Sequence, residues 1–271
     1  MRLPERPAPM ALDQSLPRLG FGVTGPHASS VTAPQHTILL VQEAIERGVT
    51  LFDTGPMYGG GEGERRLGRA IAGAPRDVLT VITKARTRTA DGARQSLTVS
   101  LEQSLERMGV GYIDALLLHG PAPTDIEDPA VVMELRGLLS QGLARRIGVC
   151  GRGLERAAML KYAARDDLFS LLMTPLDDPQ LLAQAQHLGV SVLAIETMRS
   201  QAAAYRMPRS RADLWYLART LRDAAQKRHQ GEGIGIGPAL ALPSVASVIV
   251  TTTRLANLEK NIAAARLRET L

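Results

Sequence analysis

Apolar residues gather in eight short runs along the chain, at 18–23, 49–53, 78–84, 112–119, 144–150, 168–174, 190–196 and 246–251. The runs are rich in Val, Ile and Leu and nearly continuous, the pattern of strands buried on both faces. Between them the apolar positions switch to helical spacing. In 35–47 they fall at Ile38, Val41 and Ile45 and stop before Gly48, a helix-ending residue. Segments 63–72, 92–108, 129–140, 154–165, 179–187, 212–228 and 255–265 behave alike, with Pro129 and Pro179 suited to a first helical turn. Eight strand–helix units predict an α/β chain folded as one closed (β/α)8 TIM barrel over 18–271, with a lead-in over 1–17. A doubly wound open sheet is the competing arrangement, and eight units within one domain favour the barrel. The stretch 231–242, GEGIGIGPALAL, is not expected to form a regular helix, because each interior Gly costs about 1 kcal/mol relative to Ala. No strand precedes it, so it is not a dinucleotide fingerprint.

In such a barrel the active site lies at the C-terminal ends of the strands. Asp53 ends the second run, Lys84 the third, His119 the fourth, Cys150 the fifth and Glu196 the seventh. Tyr58 stands in the glycine-rich loop after Asp53. Polar side chains ending adjacent apolar strands cost desolvation unless they pair. Asp53 can neutralise Lys84, Lys84 can lower the pKa of Tyr58, and His119 can orient or polarise a carbonyl. Together they describe a proton-transfer site whose acid is a phenol tuned toward working pH. Cys150 reads as a small buried apolar residue in preference to a nucleophile, and Glu196 as a solvated carboxylate. Met108, Met133, Met159 and Met173 read as core filling. No His, Cys, Asp or Glu spacing suits a metal, so none is expected.

The segments GVTLFDTGPMYGGGEGERRLGRAI, VLTVITKAR, LTVSLEQSLERMGVGYIDALLLHGP and ARRIGVCGRGLE resemble the aldo-keto reductases, with a weaker match in PSVASVIVTTTRLANLEKNIAAA. The resemblance implies that Asp53, Tyr58, Lys84 and His119 form a catalytic tetrad in which Tyr58 protonates a carbonyl while NADPH supplies hydride. It implies cofactor contacts at Gly22, Val23, Cys150, Thr251, Thr252, Arg254 and Asn261, with Arg254 on a 2′-phosphate and Asn261 toward adenine. The nicotinamide cradle is degenerate. Where the family usually has Ser-Asn for the carboxamide, this chain has Cys150-Gly151. Met173 or Thr174 replaces a common Gln, and Ile195 a stacking aromatic. A barrel with these four residues and a weak cofactor grip also suits a cofactor-independent dehydratase, lyase or isomerase. A non-catalytic binding barrel would be expected to lack the four residues.

Composition narrows the partners. The net charge is +5 and spread along the chain, and aromatics make up 3%, so stacking platforms for nucleic acid are scarce. The uncharged stretch 234–250 is short for a membrane span and interrupted by Pro238 and Pro243. Prolines in MRLPERPAPM break any signal-peptide core, and a single cysteine suits a cytoplasmic location. The expected partner is a small substrate, anionic if Arg86, Arg88, Arg152, Arg199 and Arg254, all just past strand ends, lean inward.

Overall fold

Each apolar run forms a strand that pairs in parallel with the next, and the last returns to the first to close a barrel. The strands are β1 Leu19–Gly22, β2 Leu51–Asp53, β3 Thr80–Ala85, β4 Ala115–His119, β5 Ile147–Cys150, β6 Phe169–Thr174, β7 Ser191–Ala194 and β8 Val245–Val250. The helices are α1 Pro34–Glu46, α2 Glu62–Ile71, α3 Leu97–Met108, α4 Pro123–Glu127, α5 Pro129–Ser140, α6 Glu155–Ala163, α7 Pro179–His187, α8 Arg211–Ala225, α9 Ile236–Leu240 and α10 Leu255–Arg266. This computed structural model describes residues 16–198, 210–225 and 233–266. The expected lead-in therefore lies outside the described residues except for its last two, as do Arg199 and the end of the predicted helix 212–228.

Alternation inside the barrel sets the chemistry. Leu51, Ile82, Leu117, Leu171, Leu193 and Ile249 fill the interior, while Phe52, Val81, Leu116 and Leu118 pack outward with the helices. Gly20 leaves room for this filling, since a Cβ there would lie 2.3 Å from Leu51 Cδ2 and 2.5 Å from Ile249 Cδ1. Side chains on a strand alternate faces, so the inward position after Leu51 is Asp53, after Ile82 is Lys84 and after Leu117 is His119. Three polar residues thus form the top layer of one side of an otherwise apolar barrel.

Several sequence expectations need correction. The predicted helix 92–108 begins only at Leu97, where the Ser96 hydroxyl accepts from Val99 N; before it the chain turns back on itself, with Arg88 bridged antiparallel to Arg94. Residues 236–240 do form a short helix, α9, started by Gly235 at φ 87 and containing Gly237, so it stays at five residues. The seventh strand stops at Ala194, and Glu196 adopts φ 62, the one left-handed non-glycine among the described residues. Met133 is 72% exposed on α5, whereas Met108, Met159 and Met173 are buried. The 3-10 turns Gly25–Ala28 and Arg76–Val78 and helix α4 had no periodic signal, being too short to show one. Among the described residues no helix is long and apolar enough to cross a membrane.

Candidate active site

Asp53 and Lys84 are both buried at the top of the barrel interior. Either alone would leave an unmatched charge out of water, at a cost of several kcal/mol. Lys84 Nζ donates to Asp53 Oδ1 at 2.5 Å and to the Thr54 carbonyl at 2.8 Å. That occupies two of its three N–H groups. Burial penalises the ammonium, but the facing Asp53 carboxylate outweighs it, so Lys84 is held protonated well above its ordinary range.

Tyr58 comes to this pair from the loop after β2. Its ring centroid is 5.1 Å from Lys84 Nζ. Gly55 permits the approach: a Cβ there would sit 2.7 Å from Met57 Sδ, 3.3 Å from Tyr58 Cε2 and 3.4 Å from Lys84 Cβ. Gly59, at φ +61, lets the loop pass so close to β1's exit that a Cβ would lie 1.9 Å from the Ala28 carbonyl oxygen. From α2, the buried Arg66 guanidinium donates to the carbonyls of His27 (2.7 Å), Thr32 (2.9 Å) and Ser29 (3.3 Å), fixing that neighbouring loop. Glu64, fully buried, accepts from Thr83 Oγ1 at 2.6 Å and Arg107 Nε at 2.5 Å, bracing β3 next to Lys84. These braces were missed in the sequence; the available signal was a run of charges on a helix facing the site, which reads equally well as a solvated face.

One electrostatic expectation is reversed. Burial raises the Tyr58 phenol above its ordinary value, and attraction to Lys84 offsets this only in part. The phenol is not tuned toward neutrality; it is held protonated. His119 lies opposite, its ring centroid 6.3 Å from that of Tyr58. Burial first, and then the charges of Lys84, Arg86 and Arg152, push its pKa down to about 4, so the imidazole is neutral at pH 7. Its Nδ1 is buried with no hydrogen-bond partner among the described residues.

The register carries this cluster around the mouth to the residues expected to hold a nucleotide. Gly22 pairs with Asp53 on one side, and on the other Phe21 pairs with Val250, so Gly22 meets Thr251. A Cβ on Gly22 would lie 2.5 Å from Thr251 Oγ1. Val23 is buried; its N–H donates to Asp53 O at 2.8 Å and its carbonyl accepts from Thr54 Oγ1 at 3.2 Å. Thr251 and Thr24 hydroxyls are 3.3 Å apart. The backbone leading to α10 is clamped by His27 Nε2 on Thr252 O (2.8 Å) and His36 Nε2 on Thr253 O (2.7 Å), while Thr252 Oγ1 accepts from Arg254 N at 3.2 Å. Asn261 is buried on α10. A helix N-terminus flanked by threonines and an arginine suits phosphate, so this end fits a dinucleotide.

The nicotinamide end fits less closely. Cys150 pairs in register with His119, and its carbonyl already accepts from Gly120 N at 2.8 Å, while Gly151 N donates to Met173 O at 3.1 Å. The thiol is buried, which pushes its pKa up to about 11, so it is an inert wall and not a nucleophile. Ile195 packs against the barrel interior with no aromatic face to offer. Glu196, expected to be solvated, is instead paired with Arg152 and Arg219, each at 2.7 Å. Arg88 is taken by Asp125 and Arg254 by Asp213. Arg86 is exposed and makes no hydrogen bond or ion pair among the described residues.

Residues 18–270 match the description Aldo/keto reductase family. An aldo-keto reductase of Mycolicibacterium smegmatis is 37% identical over 145 residues, which are 53% of this chain and 47% of that protein. The 6-dehydroglucose reductase of Agrobacterium fabrum is 27% identical over 205 residues, 70% of this chain and 63% of that protein. The matched part thus spans about half the length of the first and under two-thirds of the second. An aldo/keto reductase from Klebsiella pneumoniae, solved with NADP and acetate, shares the fold with a TM-score of 0.69 at 22% identity, covering 92% of this chain and 86% of that one. The match runs over nearly all of the barrel, and this chain belongs to the aldo/keto reductase family.

Proposed function

We propose that this chain is an NADPH-dependent carbonyl reductase acting on small, polar, anionic substrates. The observation that carries the reading is the convergence of a protonated phenol and a neutral, unpartnered imidazole over a buried Lys84–Asp53 pair at the barrel mouth. A bound nicotinamide would supply hydride to the carbonyl carbon. The protein's own task is then to handle the oxygen. His119, neutral, positions it by hydrogen bonding. Tyr58, the general acid, delivers its phenolic proton as negative charge grows there. The phenolate left behind faces Lys84, whose charge Asp53 secures. A cation fixed beforehand stabilises charge where it develops without reorganising during the reaction.

Thr251, Thr252 and the start of α10 would receive the cofactor's phosphates, Arg254 its 2′-phosphate, and Asn261 its adenine. Gly22 and Val23 would line its path from Thr251 toward Asp53, and Cys150 would form an apolar wall beside the carboxamide. Arg86, which makes no ion pair among the described residues and whose charge, like that of Arg152, reaches His119, favours a carboxylate or phosphate on the substrate. The sugar carbonyl of the Agrobacterium relative's substrate is of the small polar kind such a mouth would admit.

The test is a titration with NADPH read from Trp215, the chain's single tryptophan, which packs on Gly25 at the mouth, followed by NADPH oxidation with small carboxylated aldehydes. Binding and turnover are expected. No binding at millimolar NADPH would reject the reductase and favour a cofactor-independent dehydratase, lyase or isomerase. The missing amide at Cys150-Gly151 is the observation on that side.

A further inference from the structure

Helix α8 lies along the mouth and touches it at three places. Trp215 packs against Gly25, where a Cβ would come within 2.7 Å of the indole. Arg219 pairs with Glu196 at 2.7 Å. One turn or less before Trp215, Asp213 accepts two hydrogen bonds from Arg254 Nη2, both at 2.8 Å. The pair is open to solvent, with the Arg254 side chain 52% and the Asp213 side chain 28% exposed. Arg254 precedes α10, and its backbone N–H is held by Thr252 Oγ1.

A guanidinium offers a planar fork that suits carboxylate and phosphate alike. The two anions therefore compete for Arg254, and if both approach they also repel each other. We infer that Asp213 is a built-in competitor for the 2′-phosphate of NADPH, a specificity-determining residue that narrows the chain's discrimination between NADPH and NADH. The inference rests on the reading of Arg254 proposed above. NADH, lacking that phosphate, leaves the Asp213–Arg254 pair in place. NADPH must exchange it. Because the pair is solvent-exposed and small in net worth, the exchange is feasible, but part of the affinity that Arg254 would otherwise give is lost.

The test compares wild type, Asp213→Asn and Arg254→Met by calorimetric titration with NADPH, NADH, 2′,5′-ADP and 5′-AMP. Asp213→Asn is expected to tighten NADPH and 2′,5′-ADP up to about fivefold, while NADH and 5′-AMP change less than about 1.5-fold. Arg254→Met is expected to bring the two cofactors to similar affinity. An NADPH-to-NADH affinity ratio in Asp213→Asn equal to that of wild type would overturn the inference alone. So would equal changes for both cofactors, since Asp213 would then merely brace α8. If no protein in the set bound any of the four nucleotides, this inference and the reductase reading would fall together.

Discussion

The β2–β4 side of the mouth and its β5–β8 side carry opposite electrostatic arrangements. On the first, Asp53 and Lys84 are buried, matched to each other and held by a backbone carbonyl, and glycines let the loop bearing Tyr58 pack against a neighbouring loop that a buried arginine fixes. On the second, Arg152, Arg219 and Arg254 are a third to a half exposed and paired with Glu196 and Asp213. Exposed pairs are worth about 0–1 kcal/mol and exchange readily, whereas breaking a buried pair costs about 3–5 kcal/mol. The difference separates two tasks. Proton delivery needs a site fixed before substrate arrives; nucleotide binding needs charges that can change partners.

The largest effect expected on the fixed side is on the acid itself. Tyr58→Phe should lower turnover about 10³-fold, within the usual range for a general acid, while NADPH affinity stays within about twofold. Comparable activity in the variant, measured by NADPH oxidation, would remove Tyr58 from the mechanism. Next is Lys84→Met, which strands the Asp53 carboxylate in the barrel and should cost about 3–5 kcal/mol in urea unfolding. Adding Asp53→Asn should return much of that stability but none of the activity. Glu196→Gln on the exposed side should shift stability by less than about 1 kcal/mol. Equal losses from the two sides would erase the contrast.

A third prediction concerns pH. His27 is fully buried, bonded to Thr37 and to the Thr252 carbonyl, and burial lowers its pKa to about 4. Unfolded, it would take up a proton below about 6.5. Between those values the unfolded chain binds more protons, so stability is full above about pH 6.5 and falls toward pH 4, by roughly 3 kcal/mol from His27 alone. His27→Gln should flatten that part of the thermal-melt profile; an unchanged slope would show that His27 is not its source. At the rim, Arg86→Ala should raise KM about tenfold for a carboxylated aldehyde and leave a neutral one unaffected. Equal KM changes for both substrates would argue against an anion site there.

The barrel was legible in the chain because buried parallel strands need long apolar runs, and three neighbouring runs ended on residues too polar to be there without reason. Asp53, Lys84 and His119 announced themselves by breaking such runs, and their inward alternation after Leu51, Ile82 and Leu117 explains why they meet. What escaped depended on partners distant in sequence. Glu64, Arg66 and Arg107 look like surface charges until the fold buries or half-buries them against β3 and the β1 exit. The capture of Arg254 by Asp213 joins residues 41 apart across the mouth, with no periodic signature. Burial also reversed the expected direction at Tyr58, because desolvation of the phenol exceeds the pull of Lys84.

The central claim is that this mouth protonates a carbonyl oxygen while hydride reaches its carbon. It is tested most directly with NADPH carrying deuterium at the transferable position of the nicotinamide, incubated with the protein and a small carboxylated aldehyde. The account predicts one deuterium on the carbinol carbon of the product and none lost to solvent. A product whose new carbon-bound hydrogen comes from solvent, with the label still on the cofactor, would contradict it.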